Sequence, residues 1–439
     1  MDIKTAATRD NPDVLKSRSR IILLSLKIFG VLSTLLLLFY YRAGGIADTG
    51  RLNVGLRDLG PFVDGGKAII SGINPYDPVL TRGGSAGSLA IGILSILIPQ
   101  GLVMISFQIL NFLGLFYFIR KFPIQLTLET RYIIFLIGIW SAPFRENLSL
   151  NQITGIVLGL IALGFLTEFR KNRVIRIIIS RLSIGLAMDL KPQIVFPIII
   201  IFFIFKYFRR EILEAGVTLL SIHIFIDLRI GKIIEKDYLH FLSTLAKQSK
   251  GSDFGDSVTY WPLLQELGIN LRGIFVGTSA MIVVGFLIYK LTAIKNPASI
   301  LALSVIVPTF GSYYHLYDAV GVATIALIYF SKESRLLLPT IIFGCLVMIP
   351  IELNSIQNFL IEIFGVSLIG FLALSTYKPI EVIAKSGIGL LAGFLLNCIN
   401  HHLSDTAHNM QIIVTTEIVA LATFILVIFL RKQRASNVV

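Results

Sequence analysis

The sequence predicts an all-α fold, a polytopic bundle of transmembrane helices, and three observations carry that reading. Charge is sparse: 15% of the 439 residues are charged and 55% are hydrophobic, against about 25% charged in an ordinary soluble domain. Apolar runs of roughly 15–21 residues recur along the chain, long enough to cross a bilayer as helices. Basic clusters recur at the ends of those runs that one membrane orientation places on the same side. A barrel is excluded because the runs are too continuous for the alternation of its strands.

Taken in order, residues 1–20 are polar and basic, with Lys4, Arg9, Lys16, Arg18 and Arg20, and read as a cytoplasmic tail. No cleavage-site pattern follows the first apolar run, so Ile21–Tyr41 reads as a retained anchor. Arg42–Ser88 then lies outside. Leu89–Ile98 is apolar but short, and Pro99-Gln100-Gly101 interrupts it, as in a half-helix or the first part of a span. Leu102–Ile119 crosses back to Arg120-Lys121. Further spans are expected near 132–144, 153–168, 176–190, 193–207, 211–228, 271–290, 297–312, 316–331, 336–352, 358–377, 380–397 and 411–430. The total is about twelve to fourteen, with soft boundaries. Arg170-Lys171-Asn172-Arg173, Arg209-Arg210, Lys332 with Arg335, and Arg431-Lys432-Gln433-Arg434 mark inner ends, which puts both termini in the cytoplasm. The organisation is therefore a tail (1–20), a transmembrane module (21–335) with long outer loops at 42–88 and 228–270, C-terminal helices (336–430) and a short inner tail (431–439).

The net charge of +13 follows first from lysine and arginine gathering in inner loops. No nucleic-acid-binding module is visible, so nucleic acid is not expected as a partner. The two outer loops are basic as well, with Arg51, Arg57 and Lys67 in the first and Lys232, Lys236 and Lys247 in the second. An anionic ligand on the outer face accounts for that. Cys345 and Cys398 both lie in apolar runs, which argues against a disulfide framework.

Four polar clusters interrupt the apolar pattern on the predicted outer face. In Arg57–Pro78, Phe62, Gly66, Ile69 and Ile70 share one helical face and Asp64 and Lys67 another. Gly72 is placed to end that helix and Asn74-Pro75-Tyr76 to turn the chain. The stretch reads as an amphipathic helix on the membrane, or as a loop whose acids offset nearby bases. Arg145–Gln152 joins two spans, with Asn151 and Gln152 either capping the next helix or hydrogen bonding a polar ligand such as a sugar. Met188–Gln193 splits one apolar run and holds Asp189 and Lys191, an ion pair at a depth where charge marks function; a hairpin with Pro192 opening the next helix is the alternative. Pro308–Asp318 gathers Tyr313, Tyr314, His315, Tyr317 and Asp318, an interfacial aromatic belt or a site. A fifth group, His401, His402, Asp405 and His408, matches no zinc spacing and reads as a solvated loop.

In this order the clusters resemble those of glycosyltransferase family 87, polytopic C-type membrane enzymes that use polyprenyl-phosphate sugars, among them mannosyltransferases. The resemblance rests on Asp58, Phe62, Gly66 and Gly72 ahead of Asn74-Pro75-Tyr76, on Asn151-Gln152, on Leu190-Lys191-Pro192 and on Pro308–His315, and it covers roughly residues 20–335. Tyr is usual in the family where Phe62 stands, and Trp where this chain has Tyr in the last element. The resemblance implies Asp58 as the catalytic base, taking a proton from an acceptor hydroxyl in an inverting transfer. It implies Lys191, His315 and Arg145 near the lipid phosphate that leaves, with Asn151, Gln152, Tyr313 and Tyr76 binding substrate. No metal or other cofactor is required in such a scheme. The partners implied are a polyprenyl-phosphate-linked sugar donor, a glycan or glycolipid acceptor and membrane lipids, in a bacterial cell membrane with the site facing outward. A flippase or transporter of lipid-linked saccharides, or an envelope polysaccharide polymerase or ligase, are the other classes open. The first should show internal repeats and mid-membrane sites, and neither is evident.

Overall fold

The computed structural model describes residues 57–77, 81, 84–99, 102–166, 173–206, 208–234, 236–240, 297–310 and 315–332, together with parts of 21–38 and 283–287. Every regular element among the described residues is helical. The chain runs through α1 (Leu26–Leu38), α2 (Gly60–Ile70), α3 (Ser85–Leu97), α4 (Val103–Lys121), α5 (Leu128–Trp140), α6 (Ala142–Ser149), α7 (Thr154–Ile161), α8 (Arg173–Leu190), α9 (Pro192–Ile204), α10 (Arg209–Ile230), α11 (Pro297–Ile306) and α12 (Val320–Lys332). Short 3₁₀ turns precede α2 (Arg57–Leu59) and α12 (Leu316–Ala319).

Local chemistry sets the boundaries. Gly72 ends α2 with φ +76°; its N–H donates to the Ile69 carbonyl and that of Ile73 to Ala68, the paired bonds of a Schellman cap. Asn74 Oδ1 then accepts from Tyr76 N at 3.1 Å, closing the turn expected there. Thr127 caps α5 through its side chain, which accepts from Thr130 N at 3.2 Å. Arg120 and Lys121 close α4 where its dipole is negative. Arg131 folds back over the same end and donates to the carbonyls of Ile119, Phe122 and Ile124.

Of the described helices, α4 alone is long and apolar enough to cross a membrane; α6 and α7, bent by 117°, meet the test only as one broken unit. The predicted Leu89–Ile98 half-helix is α3, separate from α4. At 13 residues it spans about 20 Å, short of a hydrocarbon core of about 30 Å. The spans expected at 336–352, 358–377, 380–397 and 411–430 lie outside the described residues, as do the histidine loop, both cysteines and most of 271–290.

One continuous core joins α4, α5, α7, α8, α9, α11 and α12 through Phe118, Trp140, Leu158, Ile198, Phe202 and Ile325, all essentially solvent-free. A second cluster of Ile69, Tyr76, Ala86, Ile226 and Ile234 ties α2 and α3 to α10. Glycines let helices approach at two crossings. On α7, Gly155 and Gly159 lie four apart and receive Gly114 of α4: a Cβ on Gly159 would meet Gly114 Cα at 2.7 Å, the small-residue spacing of membrane helix pairs. Gly66 of α2 meets Gly92 of α3 in the same way. Outward, α10 shows Leu213, Val217, Leu220, Ile224 and Leu228 well exposed, an apolar stripe at helical spacing that water would not favour.

Candidate functional site

Four elements bring the candidate residues together: the 3₁₀ turn before α2, the α6–α7 corner, the α8–α9 break and the 3₁₀ turn before α12. The first two are joined directly. Asp58 N donates to the Leu150 carbonyl at 3.3 Å, and Gln152 Nε2 donates to Asp58 Oδ2 at 2.5 Å. Asp58 is half-buried, whereas Asp64 and Lys67 point outward, exposed.

The corner that carries Gln152 is built from buried amides. Asn111 Nδ2 of α4 donates to the Gln152 carbonyl at 2.8 Å, and its Oδ1 accepts from Ile156 N at 3.2 Å. Gln108, one turn earlier, donates to Asn151 Oδ1 at 3.1 Å. Asn151 takes a left-handed φ of 53°, which asparagine tolerates better than most residues. It is not the cap of α7: Asn147 Oδ1 accepts from Thr154 N at 3.0 Å instead. The segment expected as a loop joining two spans is thus a helix, α6, up to Ser149, turning sharply into α7.

Lys191 sits at the break between α8 and α9, with 3% of its surface exposed. The expected partner was Asp189, two residues away. The structure separates them, because residues either side of a helix end face different neighbours. Lys191 Nζ lies 2.5 Å from Asp318 Oδ1, and the two side chains are 4% and 0% exposed. Nζ also stands 4.4 Å from the centre of the Tyr317 ring, within cation–π range. Asp318 Oδ2 accepts from His315 N at 3.3 Å, Thr154 Oγ1 reaches Oδ1 at 3.5 Å, and the His315 ring stacks on Tyr317 with centroids 4.9 Å apart. Burial pulls the Lys191 ammonium below the usual lysine range. The Asp318 carboxylate opposes that most strongly, with smaller pulls from Asp58 and Glu146.

Asp189 has a structural task. Its Oδ2 accepts from Gly87 N at 2.6 Å, capping α3 from the neighbouring helix. Its Oδ1 lies 3.2 Å from His223 Nε2, and His223 Nδ1 meets Ser85 Oγ at 2.8 Å. This ties the end of α8, and with it Lys191, to α3 and α10.

Arg145 is buried on α6, which packs against the turn that holds Asp318. Tyr76 goes to the second cluster and packs on Tyr238 at 5.1 Å. Tyr313 lies outside the described residues. Gln108 and Asn111 are site-supporting residues that lie outside the four polar clusters. Their signal was present: two amides at i,i+3 inside an otherwise apolar span. Asp318 was noted within its cluster but not as the partner of Lys191, since 127 residues separate them.

Among the described residues, a wholly helical architecture, one helix long and apolar enough to cross a membrane, exposed apolar helix faces and a buried set of acids, amides and a lysine are the features of a membrane protein built around a polar site. The chain belongs to glycosyltransferase family 87, whose family model matches residues 87–311, just over half of the chain. The matched stretch includes Asn151, Gln152 and Lys191; Asp58 precedes it, and His315 and Asp318 follow it. No curated protein and no solved structure matches the chain. The protein is therefore a membrane glycosyltransferase that takes a sugar donor and an acceptor.

Proposed function

We propose that this chain moves a sugar, mannose or another hexose or pentose, from a polyprenyl-phosphate donor to an acceptor hydroxyl on the outer face of a bacterial cell membrane, with inversion. The observation that carries the reading is a half-buried carboxylate held by an amide, Asp58 with Gln152 at 2.5 Å, linked to a buried ammonium, Lys191, through Asp318, whose Oδ1 is reached both by Lys191 Nζ at 2.5 Å and, at 3.5 Å, by the hydroxyl of Thr154, two residues beyond Gln152. Asp58 accepts the proton of the acceptor hydroxyl as that oxygen attacks C1 of the sugar. The bond from C1 to the phosphate oxygen breaks, and its electron pair leaves with the polyprenyl phosphate. An ammonium has three N–H donors; Asp318 engages one, and the others serve the departing phosphate, with His315 and Arg145 beside them. Gln152 fixes the carboxylate, while Asn151 and Tyr313 are assigned to the sugar or acceptor, and Tyr76, packed on Tyr238, is left to the scaffold. The scheme calls for no cofactor.

In this reading residues 21–335 form the catalytic module, 336–430 add helices, and both termini face the cytoplasm. The lipid tail lies among apolar helices, which accounts for a sugar enzyme so poor in charge. The test uses purified full-length protein in lipid nanodiscs with polyprenyl-phosphate-mannose, wild type beside Asp58→Asn, with and without chelator. Transfer or slow donor hydrolysis should fall at least about a hundredfold in the variant and ignore the chelator. Equal turnover in the two proteins would remove Asp58 from the chemistry.

A further inference from the structure

Lys191 is the cation the proposed reaction leans on, yet it does not stand alone in its pocket. Its Nζ is 2.5 Å from Asp318 Oδ1, and Asp318 is wholly buried. The other oxygen of the same carboxylate accepts from the His315 backbone N–H. The Asp318 N–H in turn donates to the His315 carbonyl at 3.0 Å. One carboxylate therefore binds the Lys191 ammonium through one oxygen and, through the other, the main chain of His315 at the start of its own turn. Tyr317 completes the unit, with its ring near Nζ and stacked on the His315 imidazole.

We infer that Asp318 is a positioning residue for the transfer, fixing the Lys191 ammonium against the turn that carries His315 and Tyr317. The inference rests on the functional reading above. Its physical basis is the length of the lysine side chain. Four rotatable bonds would let the ammonium wander, and misplacement by about 1 Å costs up to about a hundredfold in rate. A buried carboxylate on a short 3₁₀ turn, itself pinned by two backbone bonds, removes that freedom. It also opposes the burial that disfavours the charged ammonium. Three acidic groups act on Lys191: Asp318 from the turn before α12, Asp58 from the turn before α2 and Glu146 from α6. Asp318 acts most strongly.

The test measures kcat, donor KM and the pH–rate profile for hydrolysis or transfer of polyprenyl-phosphate-mannose in nanodiscs. Asp318→Asn should lower kcat by about tenfold to a hundredfold. Because it removes the strongest upward pull on Lys191, the alkaline fall of its rate should move to lower pH, a change that loss of packing alone would not produce. Asp318→Glu keeps the pair charged but displaces the carboxylate by one methylene. It should hold the wild-type alkaline limb while lowering kcat about tenfold, and it carries the test should the Asn variant not assemble. With an active wild type, a Glu variant of wild-type kcat, or an Asn variant whose alkaline limb stays in place, would overturn the inference alone. A wild type that turns over no donor would sink the functional reading and this inference with it.

Discussion

Replacing Gly66 by alanine tests whether the crossing of α2 and α3 sets the geometry of the site. The new Cβ would lie 2.6 Å from Gly92 Cα and 2.7 Å from Gly92 N, and closer still to the Ser88 carbonyl oxygen. All three are backbone atoms, so no rotamer relieves the clash. Bringing 2.6 Å to an ordinary 3.4 Å contact already requires about 0.8 Å, and the closer Ser88 oxygen requires the helices to part further. The displaced bodies matter: α2 follows directly on Asp58, and α3 is bound through Gly87 to Asp189, two residues before Lys191. The strain should cost about 1–3 kcal/mol, less the roughly 1 kcal/mol that alanine gains over glycine in a helix. The displacement should lower donor turnover about tenfold or more. The assay pairs thermal unfolding with donor hydrolysis in nanodiscs. Gly216→Ala, on α10 with nothing within 4 Å of its added Cβ, is the control and should match or slightly exceed wild-type stability. A Gly66→Ala protein that unfolds at the wild-type temperature with wild-type turnover would refute the argument that this crossing positions the site.

Two further outcomes follow from the same scaffold. Asp189→Ala leaves the Gly87 N–H buried without its acceptor and takes the carboxylate from His223, so stability should fall by about 2–3 kcal/mol; a loss below about 0.5 kcal/mol in denaturant titration would show that α3 does not depend on this cap. Asp237 accepts from Asn74 Nδ2 at 2.7 Å and pairs with Lys232 at 2.7 Å, and the lysine holds its carboxyl below the usual carboxylate range. A lowered carboxyl pKa stabilises the fold above the unfolded value and loses that contribution as pH falls through the folded one. Exchange protection of the Tyr238 amide, which donates to Ile234 at 3.0 Å, should therefore hold steady down to about pH 4 and weaken below it. A midpoint near pH 6 would assign the change to another group.

The sequence was informative where a single residue type forces a local outcome. Gly72 and Asn74-Pro75 specify the end of α2 and the turn after it, because few residues accept a positive φ and proline cannot continue a helix. The α8–α9 break was legible from Lys191-Pro192 for the same reason. What periodicity could not supply is which distant polar groups meet. Asp189 and Lys191 look like partners at a spacing of two, yet a helix end sends them to His223 and Asp318. Asn151 looks like a cap, but the amide that caps α7 comes from Asn147, because the α6 helix continues past the point where polarity suggested a loop. Gln108 and Asn111 were hidden in the hydropathy of α4, whose average they barely alter.

The charge around the site has a direction. Asp58, Glu146 and Asp318 all act on the single ammonium of Lys191. In a setting where burial favours the neutral amine, these acids pull the other way, Asp318 most strongly. Under the proposed function, the donor's phosphate is expected to face Lys191 and its sugar carbon the carboxylate held by Gln152. The proposed inverting transfer needs the nucleophile and the leaving group on opposite sides of C1, and it assigns those two ends to Asp58, held by Gln152, and to Lys191, held by Asp318 on a different turn.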